Sequence, residues 1–322
     1  MFTIPELINI ANSEIDKIKY NDQPANLYEP IRYILSIGGK RIRPVLMMMG
    51  YNLYKEDITP IINNALAFEM YHNFTLLHDD LMDKSDVRRG NPTVHKKWDE
   101  NTAILSGDTM LILAYRLFNS GIKNERAMTE FIEASLGVGE GQQYDMDFET
   151  RNDVKEEEYM EMIRMKTSLL LGYALKIGAI LGGADNEDID NLYTFGEKMG
   201  LAFQLQDDLL DVYGDPKLFK KKLGGDIVEN KKTFMLINAL LLADETQKAE
   251  LDKWISSKDC NPEEKIAAVT HIYNILGIDK LAQKKIEELF EISLESLNKV
   301  KVPEEKKTEL RNFATKLLGR KY

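Results

Sequence analysis

Apolar residues recur at steps of three and four along nearly the whole chain, as at Leu7, Ile10, Ala11, Ile15 and Ile18 and again at Ala282, Ile286, Leu289, Phe290, Leu294 and Leu297. That is the period of an amphipathic α-helix, and strand-type alternation is absent. The spacing predicts helices near 27–36, 43–54, 102–119, 125–148, 155–181, 233–243, 246–256, 262–276, 278–298 and 303–318. Two further helices stand out. One runs from Thr59 to Asp83, with Thr59-Pro60 read as its N-cap and first residue, and the other from about Glu187 to Tyr213. Each is apolar on more than one face, as expected inside a helical array, and each ends in aspartates. The pattern therefore predicts an all-α bundle of about a dozen helices. No repeat, low-complexity tract or Ser/Pro-rich linker marks a boundary, so residues 1–322 are expected to form one domain.

Charge and cysteine usage narrow the classes. With 42 Lys+Arg against 53 Asp+Glu the net charge is −11, which argues against a general nucleic-acid or anionic-membrane binder. A polyanionic ligand must be met locally. Cys260 is the single cysteine, which excludes an intramolecular disulfide framework and a four-cysteine zinc site. The amino terminus lacks a basic segment followed by an apolar stretch. The most apolar window, Leu169 to Ala184, is interrupted by Lys176 and is shorter than the roughly 20 residues of a membrane span. A cytoplasmic protein without stable membrane insertion is expected.

The sharpest chemical signal is a pentapeptide used twice, Asp79-Asp80-Leu81-Met82-Asp83 and Asp207-Asp208-Leu209-Leu210-Asp211. On a helix, residues four apart share a face, so Asp79 lies over Asp83 and Asp207 over Asp211. With 24 aspartates in 322 residues, one such pentapeptide arises by chance in about one sequence in ten, and two in on the order of one in a hundred. Like charges so placed repel and need a cation. Oxygen-only ligands that fill part of a shell suit Mg²⁺, which keeps waters and takes substrate phosphate oxygens. Solvated helix ends are the plain alternative, disfavoured by the two copies, their apolar lead-ins and the adjoining basic loops taken together. Arg88 and Arg89 follow the first cluster. Lys217, Lys220, Lys221, Lys222, Lys231 and Lys232 follow the second, with 217, 220 and 221 read mainly as solvated loop lysines. A third basic run, Gly38-Gly39-Lys40-Arg41-Ile42-Arg43, has no acidic partner nearby and is suited to phosphate without metal; it lacks the spacing of a P-loop.

In these segments and their order the chain resembles the trans-type (all-E) isoprenyl diphosphate synthases, the polyprenyl synthetase family, over essentially its whole length. The matching segments are GGKRIRP from Gly38, EMYHNFTLLHDDLMDKSDVRRGNPT from Glu69, GQQYD from Gly141, KTSLL from Lys166, FQLQDDLLDVYGD from Phe203, and KLGGDIVENKK after it. The resemblance implies long helices around a central cavity, a homodimer, and head-to-tail joining of isopentenyl diphosphate to an allylic diphosphate. It implies that Lys40, Arg43 and His72, with Arg89 beside them, hold isopentenyl diphosphate without metal. Asp79, Asp83 and Asp207 are implied as Mg²⁺ ligands, three ions bridged by the substrate diphosphate, with Asp80, Asp208 and Asp211 completing the clusters. Arg88, Lys166, Lys222 and Lys231 are implied to bind the allylic diphosphate, and Thr167 and Gln204 to lie near the scissile carbon, with Gln142 and Asp145 as supporting polar groups. Two positions depart from or extend the pattern: Lys221 stands where many members have Gly, and the terminal Gly319-Arg320-Lys321-Tyr322 is similar to basic tails that close over the second substrate.

The residue types suit that chemistry independently. Breaking an allylic C–O bond puts charge on the leaving diphosphate, which metal ions and fixed Lys and Arg stabilise. The cation left behind needs an apolar, water-free lining with a few oxygen dipoles. His78 and His95 read as structural histidines, and His271 belongs to no motif. One and two turns before Asp79 lie Phe74 and Tyr71. Phe74 followed by the small Thr75 resembles the short-chain members, in which a bulky floor stops growth near C15 or C20, the farnesyl or geranylgeranyl length. The competing readings are a class I terpenoid cyclase or head-to-head synthase, against which Lys40 and Arg43 speak, a non-catalytic subunit, which has no need of both acidic clusters, and a calcium-binding scaffold, which leaves Arg88 and Arg89 unexplained.

Overall fold

The computed structural model describes residues 1–215, 223–257 and 259–319, and these fold as helices with one short hairpin. In chain order the helices are α1 (Ile4–Ile15), α2 (Ala25–Ser36), α3 (Ile42–Asn52), α4 (Ile62–Met82), α5 (Val94–Lys97), α6 (Glu100–Ser120), α7 (Glu125–Thr150), α8 (Glu156–Ile163), α9 (Leu169–Gly182) and α10 (Asn186–Tyr213). They continue as α11 (Gly225–Val228), α12 (Phe234–Leu242), α13 (Glu245–Ser256), α14 (Pro262–Leu276), α15 (Ile278–Lys299) and α16 (Glu304–Leu318). The hairpin pairs β1 (Val87–Arg88) with β2 (Asn91–Pro92). The all-α expectation holds, with ends within a few residues of those read from the period.

Two local differences have physical causes. Thr59 and Pro60 do not open α4. They belong to a 3₁₀ turn, Thr59–Ile61, that leads into α4; its N-cap is Ile58, and the Thr59 N–H donates to Asp57 Oδ1 at 2.9 Å. The stretch expected as one helix over 155–181 contains a π-helical turn at Arg164–Ser168, in which Leu169 N–H donates to Arg164 O. Such a turn carries an extra residue and often marks a functional site. The run Glu156–Gly182 is long and apolar enough to cross a bilayer, but 78% of its apolar window is buried in the protein, as a core helix is.

The chain divides into two compact units. The first comprises Met1–Ile132, Tyr173–Tyr193 and Lys301–Glu309. Within it α4 packs against α6, α3, α1 and α2. Its Ala65, Leu66, Phe68, Met70, Tyr71 and Leu77 are all buried, which is why it reads as apolar all round rather than amphipathic. The second unit comprises Glu133–Gly172, Thr194–Val300 and Leu310–Tyr322. Its core joins Tyr159 and Met162 of α8 to Leu205 and Leu209 of α10, Phe234 of α12 and Tyr273 of α14. Each unit carries one aspartate pentapeptide near the carboxyl end of a long helix.

Candidate active site

In the first unit, α4 ends at Met82, and Asp83 N–H donates to Asp79 O at 2.9 Å, so the two residues stack one turn apart. The exit is a Schellman turn: Ser85 N–H reaches Asp80 O at 2.9 Å and Lys84, at φ 52°, donates to Leu81 O at 3.3 Å. Asp79 is half-buried and Asp83 exposed, whereas Asp80 is 1% exposed. Burial raises the Asp80 pKa, and Arg88 opposes the shift. The Arg88 Nε donates to Asp80 Oδ2 at 2.7 Å and its Nη2 lies 3.9 Å from Asp79 Oδ2. Arg88, delivered by the hairpin, thus balances the buried Asp80 and lies near Asp79.

Arg88 and Arg89 diverge because a two-residue turn begins between them. Arg89 and Gly90 have φ of 53° and 77°, as a type I′ turn requires, and the turn joins the paired residues Arg88 and Asn91. Arg89 thereby reaches the other basic loop. Its guanidinium lies against Gly39, where a Cβ would sit 2.9 Å from Nη1 and would push the arginine aside. Arg43 and His72 complete this cluster. The Arg43 Nε is buried without a hydrogen-bond partner, and burial together with the Arg89 charge, against the opposing pull of Glu69, pushes the Arg43 pKa down to about 10. Burial lowers the Arg89 pKa as well. His72 is held well below its ordinary value by burial and by Arg43, Arg89, Arg88 and Arg41, so its ring is neutral at pH 7. Lys40 is exposed on the same loop. A buried guanidinium nitrogen without a partner, among like charges, is the chemistry of an anion site.

The basic run does have an acidic partner, contrary to the sequence reading. Arg41, at φ 51° and 4% exposed, donates from Nη1 to Glu69 Oε1 at 2.6 Å, from Nε to Asn12 Oδ1 at 2.9 Å and from Nη2 to Leu35 O at 2.8 Å. Glu69 lies on α4, 28 residues away, so sequence proximity could not disclose the pair. Arg41 is thus committed inward while its neighbours Lys40 and Arg43 flank it.

Tyr71, Phe74 and Thr75 lie on α4. Tyr71 is buried, with ring centroids 5.5 Å from Phe74 and 6.0 Å from Phe131. Phe74 is half-buried and meets His78 edge-on at 4.9 Å. Thr75 Oγ1 donates back to His72 O at 2.8 Å. His78 shares a hydrogen bond of 3.2 Å with Ile104 O, as a structural histidine does. Both ring nitrogens of His95 are buried without a partner.

In the second unit the π-helical turn sets the geometry. A Cβ at Gly141 of α7 would lie 2.5 Å from Lys166 N, and one at Gly200 of α10 would lie 2.8 Å from Ser168 Cα, so two helices back closely onto the widened turn. Glycines inside helices cost about 1 kcal/mol against alanine and usually mark such an approach, the signal that could have found it. The turn places Lys166 Nζ 2.5 Å from Asp145 Oδ2 and lets Thr167 Oγ1 donate to Gln204 Oε1 at 3.3 Å. Gln142 is half-buried on α7. Asp207 and Asp211 are half-buried on α10. Asp211 is met by the following loop, with Gly224 N–H donating to its carbonyl at 2.7 Å and Asp226 N–H to its Oδ2 at 3.1 Å. Asp208 is 5% exposed, accepts from Tyr159 Oη and, at 3.0 Å, from Gln204 Nε2, and its pKa is pushed up to about 7, by burial first and by Asp226 next. Lys231 is exposed, and its charge acts on Asp208 in the opposite sense. Tyr159 lies in no matching segment and was missed; Asp226 lies in the segment KLGGDIVENKK but was not singled out. Lys222, with Lys217, Lys220 and Lys221, and the tail residues 320–322 lie outside the described residues.

A sequence profile of the polyprenyl synthetase family matches residues 24–275. The chain belongs to the polyprenyl synthetase family. It is similar to the geranylgeranyl diphosphate synthase of Methanosarcina mazei, 41% identical over 234 residues, covering 71% of this chain and 72% of that one. A crystal structure of a geranylgeranyl pyrophosphate synthase matches 100% of both chains at TM-score 0.95 and 42% identity. A polyprenyl synthase from Caulobacter crescentus CB15, solved in complex with calcium and isoprenyl diphosphate, matches 99% of this chain and 95% of that one at TM-score 0.85 and 25% identity.

Proposed function

We propose that this member of the family is a short-chain trans-prenyltransferase, which condenses isopentenyl diphosphate with dimethylallyl, geranyl or farnesyl diphosphate to give a C15 or C20 prenyl diphosphate and diphosphate. The observation that carries the reading is the buried, unpartnered Arg43 Nε beside Arg89 and a neutral His72: an anion site built without metal. Lys40 adds an exposed charge to it. The carboxylates of Asp79, Asp83 and Asp207 suit Mg²⁺, because they offer oxygen donors only. Mg²⁺ commonly keeps waters in its shell and takes substrate phosphate oxygens. When bound, Mg²⁺ would neutralise the charge that develops on the leaving diphosphate.

The chain's own groups do the rest. Arg88, Lys166 and Lys231, with Lys222 as a further proposed ligand, meet the diphosphate oxygens that the carboxylate-held ions do not reach. Thr167 and Gln204 present oxygen dipoles to the allylic cation, with water excluded. The released diphosphate then takes the proton lost as the new double bond forms. Phe74, supported by Tyr71, is the proposed floor for the growing tail. A homodimer is proposed too, since Leu105 and Ile112 lie seven residues apart on one face of α6 and are 60% and 67% exposed. A chain that sediments as a monomer at micromolar concentration removes the dimer.

One incubation tests the activity. The protein is given Mg²⁺, isopentenyl diphosphate and each allylic diphosphate in turn, products are read by chromatography and mass, and EDTA is the control. A C15 or C20 product abolished by EDTA is expected. Diphosphate release without elongation, or no reaction from folded protein, refutes the reading.

A further inference from the structure

Four side chains of the second unit form a line of hydrogen bonds in which each fixes the next. Tyr159 of α8 is 1% exposed and donates its hydroxyl to Asp208 Oδ2. The other oxygen, Asp208 Oδ1, accepts from Gln204 Nε2 at 3.0 Å. With its nitrogen so committed, the Gln204 amide turns its oxygen the other way, where Oε1 accepts from Thr167 Oγ1 at 3.3 Å. An isolated glutamine can rotate its amide by half a turn and present either end. Here both ends of the amide are engaged, Nε2 on Asp208 Oδ1 and Oε1 on the Thr167 hydroxyl, while Tyr159 holds the other Asp208 oxygen, so a half-turn would break the bond to Asp208 and bring the amide oxygen against Oδ1.

We propose that Tyr159 and Asp208 are positioning residues that lock the Gln204 amide with its oxygen toward Thr167, so that the pair offers oxygen rather than N–H to the allylic cation. The inference rests on the reading of Gln204 and Thr167 given above. It separates Asp208 from its neighbours in the pentapeptide. Asp207 and Asp211 are half-buried on α10, whereas Asp208 is buried with both carboxylate oxygens engaged by Tyr159 and Gln204. The middle aspartate of the second cluster therefore serves the cation through Gln204 rather than a metal ion. Tyr159 stands seven residues before Lys166, two helical turns away, so the π-helical turn that presents Thr167 and the helix that presents Tyr159 are one continuous segment. Both ends of the line are set by the same stretch of backbone.

A double-mutant cycle on turnover tests this, because a coupled residue loses its effect when the group it acts through is gone. Steady-state kcat and both KM values are measured for the wild type, Tyr159→Phe, Gln204→Ala and the double variant. Tyr159→Phe is expected to lower kcat about tenfold, in line with the loss of an outer partner of a reacting group, with both KM values within about twofold. In the Gln204→Ala background the same change is expected to lower kcat by less than about twofold. An equal loss in the two backgrounds overturns the proposal, since the tyrosine then acts by another route. So does a rise in the Mg²⁺ concentration needed for half-maximal rate, which would assign Asp208 to the metal. If Gln204→Ala alone turns over at the wild-type rate, the reading of Gln204 fails and the proposal with it. Asp208→Asn, which keeps side-chain volume, gives the same cycle should Tyr159→Phe not fold.

Discussion

Removing the Glu69 carboxylate should cost this protein a large part of its stability. The Arg41 and Glu69 side chains are 4% and 3% exposed and meet at 2.6 Å. Glu69→Ala leaves the guanidinium buried with two neutral acceptors, Asn12 Oδ1 and Leu35 O. Asn73 keeps its 2.8 Å bond to the Glu69 carbonyl and loses only its 3.0 Å bond to Glu69 Oε1, so the loss falls mainly on Arg41. Breaking a buried pair in this way costs about 3–5 kcal/mol, against a total of roughly 5–15 for a folded protein. In urea that is a midpoint shift on the order of 1–2 M. Replacing both partners, Arg41→Met with Glu69→Leu, removes the stranded charge and should restore most of the stability. This double variant deletes one positive and one negative group, so the summed charge is unchanged, while the pull of Glu69 on Arg43 and Arg89 is lost. Yet it frees the loop whose Lys40 and Arg43 flank the lost anchor. The KM for isopentenyl diphosphate should rise about tenfold while that for the allylic diphosphate stays within about twofold. Equal urea midpoints for wild type and Glu69→Ala would refute the energetic argument, and an unchanged isopentenyl diphosphate KM in the double variant would refute the anchoring.

Three further outcomes are expected. Asp79→Ala and Asp207→Ala should each lower kcat by about a thousandfold or more, because they remove groups that act on transition-state charge, with far-ultraviolet circular dichroism unchanged; turnover near the wild-type rate removes the metal assignment. Phe74→Ala should shift the product toward longer chains, read by mass spectrometry, whereas an unchanged distribution leaves Phe74 as an ordinary packing residue. His72 resists protonation in the folded state, so its contribution is intact above the ordinary histidine value and is lost as pH falls toward the depressed folded one. Below pH 6.5 the wild type should lose up to about 1.4 kcal/mol per pH unit from this source. His72→Gln should flatten that slope in urea titrations between pH 7.5 and 5.5, and parallel slopes would contradict it.

What could be read from the chain divides along a physical line. Period and spacing are local, so the helices and the stacking of Asp79 on Asp83 follow from a few adjacent residues, and the structure keeps them. Partnership is not local. Arg41 and Arg43 look equivalent in the run Lys40-Arg41-Ile42-Arg43, yet one is spent on Glu69, 28 residues away, and the other keeps a buried nitrogen without a partner. Nothing in their own neighbourhood distinguishes them, because the difference is made by a left-handed φ at Arg41 and by which face of α4 carries Glu69. The same holds for Arg88 and Arg89, which a two-residue turn sends to different clusters. The π-helical turn was hidden for a further reason: an extra residue in one turn leaves the apolar period intact on either side. Its trace lies instead in the glycines at positions 141 and 200, residues of low helix propensity that the close approach requires. Residues whose local preference is overruled, an arginine at positive φ or a glycine inside a helix, sit here beside the groups that bind and position. Such local conflicts, more than the run of charges itself, are what separate Arg43 from Arg41 and Thr167 from any other threonine on a buried helix.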